Sequence, residues 1–180
     1  FIFILFCSQS ILAQDTIAVT LQEVSIADLQ LKKHSESQSV LKLSDSIIKN
    51  NKASLTSLLN YNSLIYFKEN GLGMVSSASF RGTTAQQTAV IWNGININSQ
   101  LNGQTDFNTI STRNFNSISV RSGGGSAIYG SSAIGGSIHL NNDLSFKKDF
   151  SGEVQVDYGS FNTLGTHFNS KISNNKIATQ

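Results

Sequence analysis

Residues Ser119 to Ile138 constrain the fold more than any other part of this chain. Ser119-Val120-Arg121 reads as a short β-strand, and Ser122-Gly123-Gly124-Gly125 as a turn of the kind glycine makes most readily. Ser126-Ala127-Ile128-Tyr129-Gly130 is one small apolar turn carrying a tyrosine, and Ala133-Ile134-Gly135-Gly136-Ser137-Ile138 opens a second, glycine-led strand. The glycines do not spell a nucleotide site. A dinucleotide fingerprint begun at Gly123 and Gly125 needs a third glycine where Ile128 stands. A phosphate loop from Gly125 to Gly130 needs a lysine next, and Ser131 follows. These glycines therefore read as turn and close-packing devices.

The remaining chemistry is sparse. The net charge is +2 over 180 residues, and no basic run exceeds a pair, so a nucleic-acid partner is not expected. His34, His139 and His167 share no ligand spacing, so neither a metal site nor a cofactor is expected. No nucleophile elbow or usefully spaced carboxylate pair occurs, and enzymatic activity is not expected.

The first residues, Phe1-Ile2-Phe3-Ile4-Leu5-Phe6-Cys7, lead through Ile11-Leu12 to Ala13-Gln14. They read as the apolar core of a secretory signal cleaved near Ala13 or Gln14, truncated at its front. Phe6 before the lone Cys7 is a poor lipoprotein signal, and the mature chain then has no disulfides. Asp15 to Ile26 is β-branched and extended, and Ala27 to Val40 reads as a linker. Ser44-Asp45 before Ile47-Ile48 is a helix cap, and Leu55, Leu58 and Leu59 share one face of a second short helix.

Strands follow. Leu64 to Phe67 and Ala78 to Arg81 are candidates, as are Ile118 to Val120 and Ser137 to Leu140. Asn93-Gly94 between Ala89-Val90-Ile91-Trp92 and Ile95-Asn96-Ile97 marks a tight hairpin. This order suggests an α+β domain of short helices and a small mixed sheet. Beyond a break at 141–150, Glu153-Val154-Gln155-Val156-Asp157-Tyr158 alternates strictly, and Leu164, Thr166, Phe168 and Ile172 oppose Gly165, His167, Asn169 and Lys171. A transmembrane β-barrel produces this pattern, and so does a half-buried soluble hairpin.

Several of these segments, in order, resemble the TonB-dependent outer-membrane receptors. Ser77 to Thr84, with Phe80-Arg81-Gly82, is similar to a strand end of the family's plug domain. Val90-Ile91-Trp92-Asn93-Gly94-Ile95 is similar to its hairpin, although the family usually has Asp-Gly there, so no charge-based role passes to Asn93. Val120-Arg121-Ser122-Gly123 departs from the usual Arg-Gly-Pro, whereas Ala127-Ile128-Tyr129-Gly130 and Ala133-Ile134-Gly135-Gly136 match closely. Asp15-Thr16-Ile17-Ala18-Val19-Thr20 looks like the TonB box, an exposed extended peptide able to add a strand to a partner's sheet; Glu23-Val24-Ser25-Ile26 is a competing register.

The resemblance implies a signal remnant at 1–14, TonB box and linker at 15–43, plug at 44–142, and the first strands of a membrane β-barrel at 150–180. It implies a whole barrel of about 22 strands, outer-membrane lipid around it, TonB as periplasmic partner, and uptake of a small metal chelate such as an iron-siderophore or cobalamin. Metal chelates are the commonest cargo class; too little chain lies between Gln14 and Ser44 for the extra domain often carried by oligosaccharide importers. Arg81 and Arg121, at strand ends, are expected to hold the plug to carboxylates of the barrel lumen. Asn98, Gln100, Asn102, Gln104 and Asp106 are expected to face the ligand; their loop and Glu69 to Ser77 sit where the family's plug presents its outward face. The rival reading is a secreted, soluble β-rich binding or adhesion protein.

Overall fold

The computed structural model describes residues 38–51, 54–71, 73–142, 147–174 and 177–179. The signal-like segment and both TonB-box registers lie outside the described residues. Among those described, a five-stranded sheet organises residues 40–141. It contains β1 (Val40–Leu43), β4 (Thr88–Trp92), β5 (Ile95–Asn96), β6 (Ser117–Ser122) and β7 (Gly136–Asn141), in the spatial order β1-β6-β7-β4-β5. All neighbours are antiparallel except β4 and β7, which pair in parallel from Thr88 opposite Gly136. A separate hairpin is made by β2 (Tyr66–Glu69) and β3 (Ser76–Ser79).

Alternation along the strands gives the sheet two unlike faces. Val90, Ile118, Val120, Ile138 and Leu140 join the main core. There they meet Ile48 of α1 (Asp45–Asn50), Leu55, Leu58 and Leu59 of α2 (Leu55–Asn62), and Phe67, Phe80 and Phe107. Fully burying each such side chain contributes about 1.5–3 kcal/mol. Ser44 caps α1 as expected, its hydroxyl accepting from the Ile47 amide. Phe67 and Phe107 meet edge to face at 5.3 Å, joining the β2–β3 hairpin to the turn at 107–109.

The opposite face carries Ser119, Arg121, Ser137 and His139 beside Ala89 and Ile91, all buried. A lid formed by α3 (Ser126–Tyr129) and the turn 131–133 covers part of it through Tyr129 and Ala133. The tyrosine ring stands edge-on to His139 at 4.9 Å. The expected close packing of the glycines is visible here. A Cβ on Gly136 would lie 2.7 Å from the Arg121 carbonyl oxygen, and one on Gly125 would lie 2.9 Å from Arg121 Nη1.

Two differences from the sequence reading concern boundaries. Val40–Leu43 falls in the segment expected to be linker, yet it is the edge strand of the sheet and sends Leu43 into the core. The β2–β3 strands occupy Tyr66–Glu69 and Ser76–Ser79, shifted by about two residues from the expected runs because their pairing centres on Phe67 opposite Ala78.

The alternating segments form β8 (Asp149–Gly159) and β9 (Thr163–Ser173), eleven antiparallel residues each, with β10 (Ala178–Thr179) on the far edge of β9. Phe161 and Asn162 make the connecting turn with positive φ.

Candidate functional site: the plug, its outer loops and its contact with the wall

The β8–β9 ribbon turns its polar face toward the plug and its apolar face away. Val154, Val156, Tyr158, Leu164 and Phe168 are each at least 62% exposed, and Val154 stands opposite Phe168 and Tyr158 opposite Leu164. On the other face, Glu153 pairs with Asn169 and Gln155 with His167 across the strands. A soluble hairpin docked on a core shows the reverse arrangement. An apolar band turned outward over a polar interior is what a strand between lipid and a filled lumen requires.

Polar contacts join plug and ribbon. Arg113, in the short turn Thr112–Asn114, donates to Asp157 of β8. Lys49 Nζ of α1 lies 3.0 Å from Glu153 Oε2. Between the two pairs lies a cavity of about 280 Å³, lined among others by Asp45, Asn116, Ser151, His167 and Lys171.

The residues expected to make this contact are placed differently. Arg121 is 2% exposed, inside the plug. Its Nε donates to Gln38 Oε1, and its guanidinium carbon sits 5.9 Å from the Tyr129 ring centroid. The Gln38 amide also donates to the Gly124 carbonyl at 2.9 Å, tying the start of β1 to the glycine turn. Burial pushes the Tyr129 phenol above its ordinary pKa, and the Arg121 charge works against that shift. Arg81 is exposed, with φ 48°, on the rim of a groove of about 470 Å³ shared with Leu41, Tyr61 and Leu64.

The two outer loops are brought together. Asp106 Oδ1 accepts from the amides of Ser76 and Asn108 at 3.0 and 3.1 Å, and Asn108 Nδ2 donates to the Met74 carbonyl at 2.7 Å. Asp106 is therefore a brace between the loops. Asn98 is equally committed: its Oδ1 accepts from Val90, and its Nδ2 donates to the carbonyls of Thr88 and Gly103, all at 2.8–2.9 Å. Asn102 Oδ1 accepts from the Gln104 amide within the loop. Gln100 and Asn102 are exposed and Gln104 is half-buried.

Sequence reasoning missed Arg113 and Lys49, whose partners lie 44 and 104 residues away. It also missed Asn142, which accepts from Trp92 Nε1 at 2.8 Å and donates its backbone amide to Asn93 Oδ1 at 2.8 Å. The asparagine at the hairpin thus makes the Asn-Gly turn and holds the exit from β7.

A glycine-packed sheet with braced loops, followed by a ribbon whose polar face turns inward, defines a plug-like domain and a two-faced β-ribbon. Residues 31–137 match the TonB-dependent Receptor Plug Domain family, and the chain belongs to it. The family is one of outer-membrane receptors and transporters rather than enzymes, and the reading as a secreted soluble binding protein is set aside. The chain is 34% identical over 92 residues to the vitamin B12 transporter BtuB of Vibrio vulnificus, an alignment covering 51% of this chain and 15% of that protein. In fold it is similar to the siderophore receptor PiuA of Acinetobacter baumannii (TM-score 0.60, 20% identity, 76% of this chain and 18% of that one). It is likewise similar to the ferric yersiniabactin uptake receptor FyuA of Yersinia pestis (TM-score 0.61, 19% identity, 76% and 22%). The chain spans less than a quarter of the length of each.

Proposed function

We propose that this chain forms the N-terminal part of a receptor that takes up a metal chelate across the outer membrane, with the plug closing the barrel lumen. The observation that carries the reading is the ribbon's orientation, polar toward the plug and apolar outward. In this scheme the cargo settles on the outer loops, and Asp15 to Thr20 then becomes available in the periplasm. TonB adds a strand to that segment and draws on the plug, using the inner-membrane proton gradient and no nucleotide. Arg81 is the exposed arginine able to meet a lumen carboxylate; Arg113 and Lys49 already meet β8.

The cargo reading favours an uncharged chelate of the cobalamin kind over an anionic ferric siderophore. Residues 70–76 and 97–105 contain no charged side chain. Their exposed positions offer Met74, Leu101, Gln100 and Asn102, neutral amides beside apolar tips. Such a surface matches a large solute fringed with amides and gives an anion no counter-charge. The similarity to a vitamin B12 transporter supports the same choice. The test is uptake of radiolabelled cyanocobalamin and of ferric siderophores by cells whose only such receptor carries this plug. TonB-dependent cobalamin uptake is expected. Accumulation of neither, or accumulation independent of TonB, would contradict the reading.

A further inference from the structure

Two ion pairs that join plug to ribbon among the described residues are unequal, and the cavity lies between them. At one end the Arg113 side chain is only 14% exposed, and its partner Asp157 also accepts from Gln155 Nε2 at 3.3 Å. At the other end the Lys49 and Glu153 side chains are 59% and 51% exposed. Lys49 stands on the last turn of a six-residue helix. A largely desolvated guanidinium leaves its carboxylate at considerable cost, whereas an exposed lysine–glutamate pair is nearly neutral in free energy. Asp45, Asn116, Ser151, His167, Asn169 and Lys171 line the cavity together with apolar surface from Ile48 and Phe115. The polar groups give water several partners there.

We infer that the plug is hinged on β8 at Arg113–Asp157 and gated at Lys49–Glu153, so that the cavity is the mouth of a water-filled passage for a polar solute. Calling the passage a transport route rests on the receptor reading above; the opening itself does not. At about 280 Å³ the cavity holds on the order of nine waters and no large chelate, so passage requires the gate side to swing away from β8. Arg113 keeps the opposite side in register while it does.

The test needs no cargo. In outer membranes containing the full receptor with any other cysteine of the mature protein replaced, Asn169→Cys places a half-buried thiol on the cavity wall, and its labelling by a bulky charged maleimide is timed. Lys49→Glu sets like charges across the gate and should raise the labelling rate at least about fivefold. The exchange Lys49→Glu with Glu153→Lys should return it to the parent rate, and Lys42→Glu, the same charge change on exposed β1 away from the cavity, should leave it unchanged. Labelling indifferent to Lys49→Glu, or not restored by the exchange, would overturn the gate. Equal acceleration by Lys42→Glu would show a bulk-charge effect and overturn the gate as well. Loss of cyanocobalamin uptake from the parent receptor with the labelling pattern intact would instead count against the receptor reading alone.

Discussion

Arg113 and Asp157 join the plug to the first strand of the wall, 44 residues apart in sequence and held by a charge-assisted hydrogen bond. Because Arg113 is largely buried, Asp157→Asn leaves a desolvated cation with a weakened partner. It should destabilise the contact by about 1–3 kcal/mol. Glu153→Gln, at the exposed pair, should cost no more than about 0.5–1 kcal/mol. Hydrogen exchange at residues 112–116 in the membrane-bound receptor separates the two: faster exchange is expected only for Asp157→Asn.

The outer loop divides into braces and free amides. Asn98→Ala removes three hydrogen bonds to backbone groups of β4 and the loop. A loss of about 2–3 kcal/mol is expected, read from urea unfolding of the 180-residue chain in detergent through Trp92, its one tryptophan. Gln100→Ala, at an exposed tip, should leave that midpoint unchanged and weaken cargo binding instead. Equal effects on stability would mean that the loop is not divided in this way.

Tyr129 carries a phenolic oxygen buried without a hydrogen-bond partner. Tyr129→Phe should therefore be neutral or slightly stabilising near pH 7, since it removes a desolvated polar group and keeps the ring against His139. The folded-state pKa is raised, so the folded chain holds this proton more tightly than the unfolded one. The associated stability is complete below the unfolded tyrosine value of about 10 and is lost as pH rises through the folded value. An alkaline unfolding series should show a steeper decline for the parent chain than for the phenylalanine variant.

Gly136→Ala should be among the more damaging single methyl additions, because the new Cβ meets a backbone oxygen of β6 at 2.7 Å and Phe80 at 3.0 Å. About 2–3 kcal/mol is expected, against little change for Gly152→Ala, whose Cβ meets nothing within 4 Å. Parallel urea titrations of the two variants decide it.

Much of this was legible in the chain because it depends on local pattern. Asn93-Gly94 specified a tight hairpin, and both residues have the positive φ such a turn demands. The alternation from Glu153 to Tyr158 specified a two-faced ribbon, but which face pointed inward required the plug to be in place. Val40–Leu43 escaped notice because a four-residue edge strand flanked by serines carries no periodic signal. The burial of Arg121 was not legible for a related reason: a strand-end arginine looks exposed until Gln38 and the Tyr129 lid close over it. The bracing hydrogen bonds of Asn98 and Asp106 were not legible because polar side chains that brace loops and those that bind solutes have the same composition.

The most direct measurement is the environment of successive residues along β8 in the native outer membrane. Spin labels at 153–157, one at a time, would be exposed to lipid-soluble oxygen and to a water-soluble nickel complex. Labels at Val154 and Val156 should be reached by oxygen and shielded from nickel, while those at Glu153, Gln155 and Asp157 should be shielded from oxygen. Water access at Val154 and Val156, or no alternation at all, would contradict a plug standing against a membrane-spanning wall.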